Sequence, residues 1–237
     1  MTVSGLFISE IFYTFQGEGK RLGRPSIFIR SSTCNLRCKW GNTLCDTWYT
    51  SWKPEGKGWS VQQIMDEIKQ WPCKEVVITG GEPFLQNDLE PLCRRLKEEG
   101  YYITIETNGT IFKNVKVDLL SISPKLESST PGEDTPIERK MHEERRLAWL
   151  NNFVQFDDLY GDCQVKFVVD KPEDIVEIEQ LVRSASLKDR IMWLMPQGIT
   201  REELLERSVW IIEECKKRGW NFTPREHINV YGNKRGV

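Results

Sequence analysis

Short apolar runs recur along this chain and alternate with longer amphipathic stretches. The first unbroken run is SIFIR at 26–30, where three apolar residues stand side by side, as in a strand buried on both faces. Five similar runs follow at 75–79, 102–106, 117–122, 164–169 and 191–195. Residues 6–12 alternate and predict one more strand before them, and residues 220–222 predict a short last strand.

The stretches between these runs carry apolar residues at helical spacing. They predict helices that begin near residues 60, 88, 139, 172 and 200. Capping-box pairs open the first and the last of them, Ser60 with Gln63 and Thr200 with Glu203. Strands that alternate with helices pair in parallel through right-handed crossovers. Since six strands are too few for a closed barrel of eight, we expect an α/β domain built as an open, partial (β/α)6 barrel.

Composition narrows the functional classes. The 237 residues fit one domain. A net charge of −2 argues against a nucleic-acid-binding protein, which would have a strongly basic surface. A mean hydropathy of −0.49 without a long apolar run argues against a membrane span. The first ten residues lack the basic and apolar regions of a signal peptide, which predicts a cytoplasmic protein. An odd number of cysteines, seven, then favours thiols and metal ligands over disulfides.

Three cysteines fall in one short stretch, CNLRCKWGNTLCDT at 34–47, soon after the first buried run. The loop at the carboxyl end of this predicted strand therefore carries Cys34, Cys38 and Cys45. In α/β folds, catalytic and ligand-binding residues lie at this edge of the sheet. Three thiolates can hold a [4Fe–4S] cluster and leave one iron open for another ligand. From this loop alone, a zinc site completed by a distant residue such as Cys73, or a loop of free thiols, remains an alternative.

Four further turns follow predicted strands, with the sequences GGEP at 80–83, ETNG at 106–109, SPK at 123–125 and MPQG at 195–198. Because parallel strands bring their carboxyl ends to one edge, we expect these turns and the cysteine loop to form one site. Glycines let a backbone approach a ligand closely, and the Glu82 carboxylate can accept from an ammonium. QGEG at 16–19 is a further glycine-punctuated turn; the residues alone favour a simple turn over a ligand-binding backbone.

Together these motifs resemble the radical S-adenosylmethionine (SAM) superfamily, for which CNLRC at 34–38 and GGEP at 80–83 are strong markers. FQGEG at 15–19, CDT at 45–47, SPK at 123–125 and the tail REHINVYGNKRGV at 225–237 narrow the resemblance to the 7-carboxy-7-deazaguanine synthase family. It covers nearly the whole chain. One departure is the cysteine spacing, which is C-x6-C before Cys45 where the superfamily has C-x2-C, as if residues 41–44 were inserted.

The resemblance implies conversion of 6-carboxy-5,6,7,8-tetrahydropterin to 7-carboxy-7-deazaguanine with loss of ammonia, a carbon–nitrogen lyase reaction of queuosine and 7-deazapurine biosynthesis. It implies a [4Fe–4S] cluster, SAM and Mg²⁺ as cofactors. It also implies a reducing electron donor such as flavodoxin or ferredoxin, a homodimer, and no nucleic-acid or membrane partner. A radical SAM activase that makes a glycyl radical on a protein partner, and a zinc-stabilised binding module without activity, are the alternatives.

The resemblance also implies the site residues. The metal ligands would be Cys34, Cys38 and Cys45 for the cluster and Thr47 for Mg²⁺. The SAM contacts would be Leu44, Asp46, Gly81, Glu82, Ser123, Pro124, Lys125 and Gln197. The pterin contacts would be Phe15, Gln16, Gly17, Arg30, Thr79 and His227. Arg30 would bind the substrate carboxylate through its planar fork, and no side chain is assigned as a catalytic group, since SAM carries the radical. A surface salt bridge, an exposed loop lysine and a turn residue are the plainer interpretations of Arg30, Lys125 and Thr47.

The last residues, 225–237, form a basic tail. Chain ends are commonly disordered, but Val230 and Tyr231 supply apolar surface that a free tail does not need. In the family a corresponding tail closes over the pterin. We therefore expect one radical SAM domain over 1–237, with an N-terminal strand-and-turn extension and a C-terminal tail. The tail is expected to pack across the open side of the barrel and to bring His227 and the terminal carboxylate to the substrate.

Overall fold

The computed structural model describes residues 5–159 and 162–237, and its centre is one large sheet. The strands are β1 Leu6–Phe15, β2 Pro25–Ser31, β3 Lys39–Trp40, β4 Thr43–Leu44, β5 Lys57–Trp59, β6 Glu75–Gly80, β7 Tyr102–Thr107, β8 Leu119–Ile122, β9 Cys163–Val169, β10 Met192–Pro196 and β11 Asn221–Phe222. Nine of them form the sheet in the order β11-β10-β9-β8-β7-β6-β2-β1-β5, while β3 and β4 pair separately.

The six predicted core strands, β2 and β6 to β10, are all present and pair in parallel, which confirms the partial barrel. The short strand β11 extends the parallel part. The first strand runs the other way: β1 pairs antiparallel with β2, with Phe15 opposite Pro25, and β5 pairs antiparallel with β1. The residues after β1 therefore leave the sheet at the end opposite to the cysteine loop.

The sheet is accompanied by eight helices among the described residues. They are α1 Trp48–Ser51, α2 Val61–Ile68, α3 Leu89–Glu98, α4 Pro136–Arg145, α5 Trp149–Leu159, α6 Glu173–Ser184, α7 Arg201–Arg218 and α8 Glu226–Tyr231. Of these, α1 and α8 contribute residues to a cavity described below. Both predicted capping boxes are present, at α2 and at α7. The core packs the inner residues of these helices, such as Ile64 and Ile68, against strand residues such as Ile29 and Ile78.

One prediction about the helices was wrong. The single helix expected near residues 139–150 is two helices, α4 and α5. The break allows Trp149 to enter the core, where it is fully buried edge-on against Phe153 and Phe167. The tail, predicted to pack across the open side of the barrel, contains the short helix α8. Within the described part of the chain, no helix combines the length and the apolarity needed to cross a membrane.

Candidate functional site

A cavity of about 220 Å³ lies at the carboxyl end of the parallel strands and extends between them. Its wall combines the cysteine loop with the turns after β6, β7, β8 and β10, as the sequence predicts. Residues 14–18 and the tail complete the wall. The cavity is lined by ten of the predicted site residues outside the SAM set, namely Cys34, Cys38, Cys45, Thr47, Phe15, Gln16, Gly17, Arg30, Thr79 and His227.

Six of the eight predicted SAM residues also line the cavity, and two do not. Those in the wall are Leu44, Asp46, Gly81, Ser123, Lys125 and Gln197. Pro124 is buried between Ser123 and Lys125 and forms no part of the wall. Glu82 also lies outside it and is completely buried.

The Glu82 carboxylate, predicted to meet the SAM ammonium, makes three hydrogen bonds within the protein. This carboxylate accepts from the backbone N–H of Phe84 at 3.0 Å and of Asn108 at 2.8 Å. It also accepts from the Thr107 hydroxyl at 2.8 Å. Burial raises the pKa of Glu82. The carboxylate joins the ends of β6 and β7, a structural task that the motif alone does not reveal.

The glycines of the GGEP turn have a packing role as well. A Cβ on Gly81 would lie 1.9 Å from the carbonyl oxygen of Thr33, just before the cysteine loop. The backbone N–H of Glu82 donates to that same carbonyl at 2.8 Å. The close backbone approach that the glycines predict is thus made by the protein itself, and it fixes the start of the cysteine loop against the end of β6.

The residues that depart from the superfamily spacing form a small hairpin. Strands β3 and β4 pair in antiparallel register, Lys39 with Leu44 and Trp40 with Thr43, around a turn in which Gly41 has a φ of +56°. The next pair outward is Cys38 with Cys45, and the Cys45 N–H donates to the Cys38 carbonyl at 3.1 Å. The hairpin therefore brings Cys45 back beside Cys38.

The three thiols share the same cavity wall and are held in polar surroundings. The N–H of Leu36 lies 3.4 Å from the Cys34 sulfur, and the Thr47 hydroxyl lies 3.3 Å from the Cys45 sulfur. Burial raises the pKa of Cys34 to about 11 and that of Cys45 to about 12. Thiolates at such positions need a compensating cation, and a coordinated metal deprotonates its thiol ligand. This donor set fits an iron–sulfur cluster.

A cluster does not require the three thiols to share one ion, because its thiolates bind different irons. In residues 5–159 and 162–237 no three His, Cys, Asp or Glu side chains are close enough to hold a single metal ion together. Cys73, considered above as a distant fourth ligand, lies elsewhere, with its sulfur 3.1 Å from the carbonyl of Pro25 at the amino end of β2.

Arg30 reaches the cavity from β2. Its Nε donates to Glu10 at 2.6 Å, and its guanidinium lies over the ring of Phe12, 5.5 Å from the centroid. Burial alone would lower the pKa of Arg30, but Tyr49 and Glu10 raise it, so the guanidinium is charged. Its two Nη groups have no hydrogen-bond partner among the residues that the structure describes. They are available to an anion in the cavity.

A buried network of charges that the sequence analysis did not assign lies beside Arg30. Lys166 on β9 forms an ion pair with Glu18 and lies 3.8 Å from Glu106. Arg225 contacts Glu18 at 3.2 Å, is paired with Asp46, and donates to the carbonyl of Gly198 at 2.7 Å. Burial would raise the pKa of Glu18, but Lys166 and Arg225 outweigh burial and lower it to about 2.

Glu106 links this network to two of the predicted pterin residues. It accepts from the Gln16 amide at 3.2 Å and from the Thr79 hydroxyl at 2.8 Å. Lys166 is the residue that sequence reasoning could have found, because a lysine inside the apolar run CQVKFVV must be paired when the strand is buried. Its partner Glu18 could not be named, since the two residues are 148 positions apart.

The tail packs along β1 and completes the cavity. The N–H of Glu226 donates to the Gly17 carbonyl at 3.0 Å, and the rings of Tyr231 and Phe15 lie 5.9 Å apart. Burial lowers the pKa of His227, which favours the neutral imidazole. Val237 also lines the cavity.

Known proteins resemble this chain in sequence and in fold. Residues 28–185 match the radical SAM superfamily. The chain is 42% identical to a protein of Rhodopirellula baltica named 7-carboxy-7-deazaguanine synthase, over 99% of this chain and 90% of that protein. A protein of the same name from Halobacterium salinarum is 41% identical over 94% of this chain and 90% of its own. The crystal structure of QueE from Escherichia coli superposes with a TM-score of 0.69 at 26% identity, covering 94% of each chain.

Proposed function

We propose that this chain, which belongs to the 7-carboxy-7-deazaguanine synthase family of the radical SAM superfamily, converts 6-carboxy-5,6,7,8-tetrahydropterin to 7-carboxy-7-deazaguanine with loss of ammonia. One observation carries the proposal: three cysteine thiols and the free Nη groups of Arg30 line the same cavity. The product would enter queuosine and 7-deazapurine biosynthesis.

The family implies a [4Fe–4S] cluster and SAM. In the proposal Cys34, Cys38 and Cys45 hold the cluster. When bound and reduced, the cluster would supply the electron for the reductive cleavage of SAM. The electron would come from a low-potential donor such as flavodoxin or ferredoxin, and a cytoplasmic homodimer is part of the same proposal. The protein's task is to bind, orient and exclude water.

The SAM contacts are proposed on the cysteine-loop side of the cavity. Ser123, Lys125 and Gln197 line that side, and the Lys125 ammonium is fixed by the Ser123 carbonyl at 2.7 Å. The Gly81 carbonyl would accept from the methionine ammonium of SAM, since the Gly81 N–H already donates to the Ser31 carbonyl at 3.0 Å. The Asp46 carboxylate would contact the same ligand only at the edge of its ion pair with Arg225.

The pterin is proposed to lie between residues 15–17, Thr79 and Arg30. The Gln16 amide and the Thr79 hydroxyl, both bonded to Glu106, present polar groups suited to the edge of a pterin ring. The Nη groups of Arg30 would bind the carboxylate, because a guanidinium fork matches a carboxylate in shape and charge. His227 would contact the ring from the tail as a neutral imidazole.

Thr47 is proposed to bind Mg²⁺. Its side chain precedes α1 but makes no capping hydrogen bond, and its hydroxyl faces the cavity beside Cys45. Mg²⁺ prefers oxygen ligands and keeps several waters, so one protein hydroxyl is sufficient when a substrate carboxylate lies nearby.

We expect added Mg²⁺ to raise turnover in the wild type and to have a weaker effect in Thr47→Val, measured as the ratio of initial rates with and without Mg²⁺. An equal Mg²⁺ response in the two proteins would remove Thr47 from the site.

The central test is anaerobic reconstitution with iron and sulfide, followed by incubation with SAM, a reductant and the carboxytetrahydropterin. Mass spectrometry should show the deazaguanine product. Substrate that remains unconverted by protein with full iron content would overturn the proposal, and a colourless, zinc-loaded protein would favour the binding module instead.

A further inference from the structure

We propose that Arg235 in the tail is a positioning residue for carboxylate recognition, because it keeps Glu10 from occupying the anion-binding face of Arg30. The inference rests on the proposed function in one respect: Arg30 is taken to bind the substrate carboxylate. Arg235 itself does not line the cavity, so its effect must pass through other residues.

Arg235 is held on the surface by four contacts. Its guanidinium stacks on the ring of Tyr49, 3.7 Å from the centroid. It donates to Glu55 at 2.9 Å and to the Ser9 hydroxyl at 3.3 Å. Its Nε lies 3.5 Å from Oε2 of Glu10. Two of these four partners, Ser9 and Glu10, belong to β1, so the contacts tie the tail to the strand that carries Glu10.

Glu10 lies beside Arg30 because the two residues are register partners on β1 and β2. One of its oxygens, Oε1, accepts from Arg30 Nε at 2.6 Å and from the Tyr49 hydroxyl at 2.8 Å. The other, Oε2, faces Arg235. A carboxylate beside a guanidinium frequently pairs with it through two parallel hydrogen bonds. Glu10 makes only one of these two hydrogen bonds to Arg30. Its Oε1 also accepts from the hydroxyl of the buried Tyr49, and its Oε2 faces Arg235 in the tail.

This division leaves the Nη groups of Arg30 for a ligand. Without Arg235, Oε2 of Glu10 is free to turn toward Arg30 and make the second hydrogen bond. An incoming carboxylate would then compete with Glu10 for the same donors. Because coupling between two binding events is reciprocal, a carboxylate bound at Arg30 should in turn favour the docked tail.

The first experiment compares Arg235→Ala with the wild type in the reconstituted enzyme. We expect the KM for the carboxytetrahydropterin to rise about tenfold, the effect of one hydrogen bond to a charged group. The kcat, the affinity for SAM and the iron content should stay unchanged. Arg235→Lys should restore part of the loss, because an ammonium can still face Glu10. Arg201→Ala serves as the control: it removes another contact to the tail, 3.4 Å from the Val230 carbonyl, without touching Glu10.

The second experiment separates positioning from simple tethering of the tail. Equilibrium binding is measured for the carboxytetrahydropterin and for tetrahydropterin, which lacks the carboxylate, in the wild type and in Arg235→Ala. Only the carboxylated ligand should bind more weakly to the variant. In a Glu10→Gln background, where the competing charge is gone, adding Arg235→Ala should change that affinity by less than about twofold.

Equal weakening of both ligands, or an undiminished effect of Arg235→Ala in Glu10→Gln, would overturn the inference and leave Arg235 as a tether. The outcome stays distinct from that of the proposed function. If the wild type binds the carboxylated pterin without converting it, the proposed reaction fails, while the binding comparison still decides the role of Arg235.

Discussion

Gly17 and Gly81 are positions where a missing side chain lets two segments meet. Gly81 touches the residue before the cysteine loop, whereas Gly17 touches the tail. Gly81 was predicted to let a ligand approach the backbone, and the resemblance assigned Gly17 to the pterin; protein atoms already occupy part of the space beside each glycine. Because neither glycine has a Cβ atom, loops that are distant in sequence can pack closely enough to form one cavity.

A Cβ on Gly17 would lie 2.3 Å from Nδ1 of His227 and 2.9 Å from the His227 backbone nitrogen. Since that backbone must shift, Gly17→Ala should displace α8 and raise the KM for the pterin roughly tenfold or more, in line with the usual cost of overpacking. The iron content should not change. Steady-state kinetics and iron analysis check this. Gly58→Ala, which meets no atom within 4 Å, is the matched control, and wild-type kinetics in Gly17→Ala would contradict the prediction.

The thiols of Cys45 and Cys73 offer a second comparison between single residues. Cys45→Ala should abolish the cluster, because it removes one of the three thiols in the cavity wall. Cys73→Ala should retain it, since the Cys73 sulfur faces the amino end of β2. Iron and sulfide per chain after anaerobic reconstitution measure the difference. Full iron content in the Cys45 variant would show that another residue completes the site.

The β3–β4 hairpin accommodates the unusual spacing between Cys38 and Cys45. With residues 41–44 present, two cross-strand pairs form around the turn at residues 41–42, Lys39 with Leu44 and Trp40 with Thr43, and the pair Cys38 and Cys45 stays at the base of the hairpin. A hairpin tolerates such an insertion because even numbers of residues preserve the alternation of side chains. The unusual spacing therefore adds a hairpin whose Trp40 and Leu44 line the cavity, with Cys38 and Cys45 paired at its base.

Removing the four residues 41–44 should leave a functional cluster loop with C-x2-C spacing. We expect the deletion variant to bind nearly the full iron content, while its affinity for SAM falls because Leu44 is lost from the wall. Removing only residues 42–44 changes the parity of the hairpin, so iron binding should fall sharply. The two deletions are compared by iron content and by SAM binding. Equal iron loss in both would show that the hairpin is needed for the thiols themselves.

Arg225 joins segments from across the whole molecule. It contacts Glu18 after β1, Asp46 on the cysteine loop and the Gly198 carbonyl after β10. These segments come from both ends of the sheet, because β1 runs antiparallel to its neighbour. One buried guanidinium thus holds the residues that close the cavity.

Removal of one partner from a buried charge network is strongly destabilising, so Arg225→Met should lower the free energy of unfolding by about 3–5 kcal/mol. Arg183→Met, at an ion pair whose arginine side chain is 69% exposed, should change it by less than about 0.5 kcal/mol. Urea unfolding of the reconstituted proteins at neutral pH measures both. A loss below about 1 kcal/mol in Arg225→Met would contradict this account of the network.

The same network predicts how stability depends on pH. The pKa of Glu18 is about 2 in the folded protein, below its ordinary 4.5, so the folded state favours the ionised carboxylate. Its stabilising effect is therefore complete above about pH 4.5 and is lost as the pH falls toward 2. Over that window the wild type should lose more stability than Glu18→Gln, measured by urea unfolding at a series of pH values. Parallel losses in the two proteins would mean that Glu18 is not ionised by its partners.

Local sequence was sufficient for the core strands, for both capping boxes and for the loop that carries the three cysteines. These features depend on side-chain periodicity and on nearby residues, which neighbouring positions specify. Long-range packing settled the rest: the antiparallel direction of β1, the pairing of Lys166 with Glu18, the structural role of the Glu82 carboxylate, and the contacts of the tail with Gly17 and Glu10. The partners in these contacts are brought together only when the sheet assembles, so no local pattern in the sequence records them.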